Sequence, residues 1–237
     1  MDSTGYITLS RQSGLLNQMD AIANNIANST TTGFKREGTL FSEWVAKTGD
    51  SPSLSMGYGN TRVVDIMQAG LSQTGGAFDL AVEGDGFFMV EGPNAQQMLT
   101  RAGAFVTGPD GTLQTNDGFP VLDESGSRVF IPPDAGKVTI AQDGTLSANG
   151  APLGRMGLFT PTDPLTMTHQ QGTLFSASGY QPVTGSKIMQ GYLEESNVSP
   201  INEIASMISV QRAYQMGQSF LDREDDRARN VIQTLGR

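Results

Sequence analysis

The chain has 237 residues, no cysteine and a formal net charge of −9, from 15 lysines and arginines against 24 aspartates and glutamates. A disulfide framework and thiolate metal sites are therefore excluded, and the acidic balance argues against nucleic acid, whose phosphates require a basic surface. Only 16% of residues are charged, too few for a charge-driven disordered chain, and no apolar run is long enough to span a membrane.

The opening Met1-Asp2-Ser3-Thr4-Gly5-Tyr6 has neither the basic nor the apolar region of a secretory signal, so none is expected. The first predicted element is a helix over roughly 5–28, about 35 Å long at 1.5 Å per residue. Leu15, Met19, Ile22 and Ile26 recur at helical spacing and make one stripe, which Leu16, Ala23 and Ala27 widen. Ser3 or Thr4 can cap its start. Three β-branched residues, Thr30, Thr31 and Thr32, end it, and Gly33 is predicted to take a positive φ at the exit. Residues 35–74 hold Phe41 and Trp44 and then the Gly/Ser/Pro-rich Asp50–Asn60. They read as a short helix or strand followed by an extended linker.

The middle of the chain reads as β. Residues 75–180 hold 17 of the 29 glycines and a net charge of −7. Turn dipeptides recur at Asp85-Gly86, Asp110-Gly111, Asp117-Gly118, Asp143-Gly144 and Asn149-Gly150. Short apolar runs lie between them, at Phe78/Leu80/Val82, Phe87–Val90, Val121–Leu122, Val129–Ile131, Val138–Ile140 and Met156–Phe159. Such spacing predicts a compact, mainly antiparallel β domain.

The last segment is again helical. Ser199-Pro200 supplies a cap and a proline at the first helical position. Ile201, Ile204, Ala205, Ile208, Gln211 and Tyr214 then follow at threes and fours, Val231, Ile232 and Leu235 resume the stripe, and Gly236 closes it. The charged stretch Asp222–Arg229 alternates in sign and reads as a solvated or interhelical face.

Catalytic chemistry finds little footing. The single histidine, His169, lies in a polar stretch and reads as an exposed loop residue, with no G-x-S-x-G elbow for it to serve. One histidine without cysteine makes a poor metal site. Gly84-Asp85-Gly86 lacks the third glycine of a dinucleotide loop and is followed by a strand pattern. Asp110, Asp117 and Asp143 are explained as turn residues rather than as a glycosidase pair. Asn28-Ser29-Thr30 and Asn197-Val198-Ser199 match the glycosylation pattern, but sit where helix caps are expected. No catalytic residue, cofactor or metal ligand is assigned. The positive feature is the architecture: two amphipathic helices at opposite ends, the second about ten residues longer, whose stripes need partners. They pack either on other subunits or on their own β domain.

The stretch Asn24-Asn25-Ile26-Ala27-Asn28-Ser29-Thr30-Thr31-Thr32-Gly33-Phe34-Lys35 resembles the N-terminal signature of the bacterial flagellar axial proteins, the rod and hook family. Three further stretches agree in order along the chain. They are Gln68–Thr74 with Phe78–Val90; Leu99–Phe105 with Asp110–Leu113 and Asp117–Leu122; and Gln190–Val198 with Met207-Ile208 and Gln211–Tyr214.

The resemblance implies an α+β protein whose N- and C-terminal coiled-coil-forming helices flank a mainly antiparallel β domain. In domain terms it implies a discontinuous helical assembly domain (1–34 and 196–237), an extended connector (35–75) and a β-rich outer domain (76–195). The implied role is a proximal-rod subunit, with a distal-rod or hook-type subunit as the alternative. Leu15, Met19, Ile22, Ile26, Ile201, Ile204, Ile208 and Tyr214 are the expected assembly interface. Implied partners are copies of the chain, other rod proteins and the flagellar type III export apparatus, with no nucleic acid and no membrane insertion. The implied place is the periplasmic rod of the basal body, which carries torque from motor to hook. Two readings from other classes are a periplasmic carbohydrate-active enzyme and a small-ligand binding module.

Overall fold

The computed structural model describes residues 3–48 and 51–235, which divide into two compact units. The first unit comprises Met1–Ala27, Glu37–Val63 and Ser199–Arg237; the second comprises Asn28–Arg36 and Val64–Val198. Among residues named above, Met1, Asp2, Asp50 and Gly236 lie outside the described residues.

In the first unit, α1 (Ser3–Ala27) and α2 (Pro200–Leu235) are the two expected helices. They pack on each other through Leu15, Ile22 and Val210, with Met19, Ile26, Met207, Ala213 and Tyr214 around them. Two strands, β1 (Glu37–Thr48) and β2 (Ser51–Val64), pair with each other. The sequence reading here is a short helix or strand followed by an extended linker; a strand is present in β1, and a second strand, β2, stands where the linker is expected. Its Gly, Ser and Pro residues suggest one, but Leu54, Met56 and Tyr58 alternate with small residues at the period of a strand. In the partner strand Thr39, Phe41, Trp44 and Val45 are all strand formers.

The second unit is the β domain. In chain order its strands are β3 (Leu71–Gln73), β4 (Leu80–Glu83), β5 (Phe87–Glu91), β6 (Gln97–Thr100), β7 (Phe105–Thr107) and β8 (Leu113–Thr115). Then follow β9 (Val138–Ile140), β10 (Thr145–Ala148), β11 (Ala151–Arg155), β12 (Leu158–Pro161), β13 (Thr168–His169), β14 (Leu174–Ser176), β15 (Tyr180–Pro182), β16 (Lys187–Gln190) and β17 (Tyr192–Glu194). The largest sheet has the order β13-β14-β6-β5-β12-β15. A three-stranded sheet, β11-β10-β9, and the pairs β16-β4, β17-β3 and β7-β8 complete the domain. Every pairing in this unit whose register is defined is antiparallel, for example Met89 opposite Leu99 and Ile188 opposite Val82.

Two apolar clusters hold these sheets. One gathers Leu80, Val82, Phe88, Leu113, Val121, Leu146 and Ile188; the other gathers Phe87, Met89, Leu99, Met167 and Phe175. Phe88 and Phe87 are neighbours in one strand, so alternation sends them to opposite faces and into different clusters. Burying each such side chain contributes roughly 1.5–3 kcal/mol.

The turn dipeptides behave as read. Gly86, Gly111, Gly118, Gly144 and Gly150 all have positive φ, and Asn149 joins Gly150 there with a φ of 50°. Gly33 has a φ of 70°, and a Cβ on it would stand 2.2 Å from the backbone nitrogen of Ala102. Only glycine fits, for conformation and for space.

Candidate assembly interface

The face of α1 that carries Leu15, Met19, Ile22 and Ile26 is the face packed on α2. Leu15 is 8% exposed and Ile22 4%. Leu16, Ala23 and Ala27, expected to widen this stripe, are exposed instead. They lie to one side of it, beyond the reach of the single partner helix.

The α2 residues separate. Tyr214 packs with Met207, Val210 and Ala213 against α1. Ile201, Ile204 and Ile208 are 80%, 50% and 45% exposed. At ~100° per residue these isoleucines fall well over a quarter-turn from Val210, so the single stripe read from the sequence mixes two faces. The buried one is led by Glu203, Met207, Val210 and Tyr214. The other is an exposed row of isoleucines. Val231 is also exposed, and the side chains of Ile232 and Leu235 lie outside the described residues.

Each unit also buries a polar cluster that sequence reasoning did not single out. In the first unit, Asn25 is fully buried on α1. Its Nδ2 donates to Glu37 O at 2.8 Å and to Glu203 Oε2 at 3.3 Å, and its Oδ1 accepts from Glu37 N–H at 2.9 Å. One side chain thereby ties α1 to β1 and α2. Arg62 donates to Glu37 Oε2 at 3.2 Å and offsets that buried carboxylate.

In the second unit, Lys35 Nζ donates to Glu194 Oε1 at 2.6 Å and to Met67 O at 2.6 Å. Arg101 Nη1 donates to Glu194 Oε2 at 2.9 Å and Val82 O at 3.2 Å, and its Nη2 to Gly84 O at 2.7 Å. Ala69 N–H adds a bond to Glu194 Oε1 at 2.9 Å. All three charged side chains are essentially fully buried. Two cations bond one carboxylate, and the remaining positive charge is met by backbone carbonyl oxygens, by the Phe87 ring 5.1 Å from Arg101 Cζ, and by the charges of Asp65 on Lys35 and Asp85 on Arg101. Burial pulls the Lys35 ammonium below its ordinary pKa, and the hydrogen bond and charge of Glu194 oppose the shift. Arg101 is lowered for the same reason, against the same opposing carboxylate.

Two expectations are corrected here. His169 is not a loop residue. It ends β13, half-buried, with its ring 4.9 Å from Phe34 and 4.2 Å from Phe175. Its Nε2 lies 2.9 Å from Lys35 O, and since a carbonyl only accepts, Nε2 carries the proton. The polar neighbours in sequence concealed that the ring meets aromatic partners from far along the chain. Asn197 is not a helix cap. Its Oδ1 accepts from Arg36 N–H at 2.7 Å, and its Nδ2 donates to Asp65 O at 2.9 Å.

Among the described residues, no cluster of three or more His, Asp or Glu side chains is placed to hold a metal ion, and no helix is long and apolar enough to cross a membrane. What the arrangement offers is a helix pair with one face satisfied and one row of isoleucines exposed.

Three family models match in chain order. Residues 6–35 match "Flagella basal body rod protein", 81–148 match "Flagellar hook protein FlgE/F/G D1 domain", and 189–234 match "Flagellar basal body rod FlgEFG protein C-terminal". The chain belongs to the flagellar basal-body rod protein family. It is 39% identical to the flagellar basal-body rod protein FlgF of Caulobacter vibrioides, over 100% of this chain and 99% of that one. It is 34% identical to FlgF of Mesorhizobium japonicum with the same coverage, and 32% identical to FlgG of Agrobacterium fabrum over 92% and 93% of the two chains. The protein is thus a structural subunit of the flagellar basal body, from a family of rod proteins rather than enzymes.

Proposed function

We propose that this chain is a proximal-rod subunit of the FlgF type. It polymerises through its terminal helices with copies of itself and other rod proteins, and transmits torque from motor to hook. Two full-length relatives named FlgF, at 39% and 34% identity, favour that type over the FlgG type. A subunit that joins the rod in the periplasm reaches it through the flagellar type III export apparatus.

The observation that carries the assembly reading is the row Ile201, Ile204 and Ile208, exposed on the α2 face away from the α1 contact. Exposed isoleucines in register along two turns are costly in water and suited to a second helix. The eight residues Leu15, Met19, Ile22, Ile26, Ile201, Ile204, Ile208 and Tyr214 then serve in two ways. Five shape the helix pair and three meet the neighbour.

The test is Ile208→Asp. A carboxylate is harmless on a free helix face, but costs several kcal/mol when buried unpaired in an interface. The purified variant is expected to melt within about 1–2 °C of wild type, as surface substitutions do. Cells carrying it are expected to lack a completed rod and to be non-motile. Motile cells with full-length rods would mean that this face meets nothing.

A further inference from the structure

The chain passes between its two units four times, after Ala27, Arg36, Val63 and Val198. On the β-domain side these passages run into three stretches, 28–36, 64–70 and 192–198, and within that domain the three are bonded to one another. Gly33 N–H donates to Glu194 O at 2.8 Å, Asp65 N–H to Arg36 O at 2.8 Å, and Glu195 N–H to Gly70 O at 2.9 Å. Asn197 adds its side-chain bonds to Arg36 and Asp65. The buried charges join the same stretches. Lys35 belongs to the first, its second acceptor Met67 O to the second, and Glu194 to the third. Arg101 ties Glu194 to the β domain.

We infer that Lys35, Glu194 and Arg101 form a charge clamp that makes the docking of all three stretches onto the β domain a single cooperative event. A force carried along the chain between the units is then met by this clamp as a whole, not by separate hydrogen bonds. The mechanical meaning rests on the rod reading above; the cooperativity does not.

The charge count points to the role of Lys35. If neutralising Glu194 were the only need, Arg101 alone would suffice. The second buried cation carries a desolvation cost that Arg101 already makes unnecessary for charge balance. Lys35 supplies something Arg101 does not: its ammonium bridges the first stretch to both of the others. Removing Lys35 therefore leaves a neutral Arg101–Glu194 pair and an intact β core, and leaves the three stretches joined only by the backbone bonds and by Asn197.

Native-state hydrogen exchange on the full chain tests this. In the wild type, the amides of Gly33, Arg36, Asp65, Ala69 and Glu195 are expected to exchange through one shared opening. It should have a single free energy and a single denaturant slope, below those of the core amides Leu122 and Val129. In Lys35→Met these five are expected to speed up together by about tenfold or more, with Leu122 and Val129 unchanged. Lys35→Arg retains the cation and is expected to restore much of the protection. Arg128→Ala, which breaks an exposed pair with Glu91, should leave all of them unchanged. Separate openings in the wild type, or an effect of Lys35→Met confined to residues 33–36, would overturn the clamp. Because the wild-type measurement decides by itself, a Lys35→Met chain that fails to fold does not remove the test. The exchange data judge the clamp and the Ile208→Asp cells judge the rod reading, so the two fail independently.

Discussion

Two turns of the β domain repeat one piece of residue chemistry. In Asp110-Gly111-Thr112 the carboxylate accepts from Thr112 N–H at 3.1 Å and Thr112 Oγ1 at 2.8 Å; in Asp143-Gly144-Thr145 the two bonds to Thr145 are both 3.0 Å. Both carboxyls are held below their ordinary pKa, first by the backbone N–H and then by the threonine hydroxyl. Because the folded pKa is the depressed one, the ionised turn stabilises the fold above the unfolded Asp value of about 3.9, and that contribution is lost as pH falls through the folded value. Asp143→Asn keeps the shape and removes the titration. Its melting temperature is expected to fall less than that of wild type between pH 6 and pH 3. A parallel fall in both would show that the turn contributes nothing to acid sensitivity. These turns were legible in the sequence because a positive φ at glycine is a local demand. The clamp was not. Lys35 and Glu194 stand 159 positions apart and Arg101 and Glu194 93 apart, and no periodicity links them. Their only sequence trace is a charged residue inside each of three family-like blocks.

The two helices differ in how much of their packing the sequence reveals. α1 has one continuous apolar stripe, so its spacing identified the buried face correctly. α2 is apolar on two faces, and periodicity cannot say which of them finds a partner in the same chain. Spacing alone therefore groups Tyr214 with isoleucines that it does not accompany. The long pair β1–β2 was obscured for a different reason: glycine, serine and proline usually mark a loop, and the alternating residues between them are few. The helix pair yields its own prediction. Leu15 is buried against α2, and Leu15→Ala is expected to cost about 2–3 kcal/mol, the lower part of the range for deleting a buried leucine because the groove can partly close. Circular dichroism should show earlier loss of helix on heating, while the β-domain amides keep their protection. If both units lose stability equally, they do not unfold separately.

At the scale of the whole molecule, the division of labour follows from where the apolar surface is spent. The β domain encloses its apolar residues in two clusters, with Leu80, Phe88, Leu99 and Phe175 fully buried. The helical unit leaves Ile201, Ile204 and Ile208 exposed. Family membership places the chain in the basal-body rod, the setting in which we propose that this surface is used. Assembly through the exposed α2 row is open to site-specific photo-crosslinking. A photoreactive side chain is placed at Ile204 or, as the control, at Val210, and basal bodies are isolated after irradiation of living cells. Ile204 is expected to give adducts to neighbouring rod subunits, whereas Val210, covered by α1, is expected to give none between subunits. Adducts from Val210 with none from Ile204, in rods that assemble fully, would contradict assembly through that row.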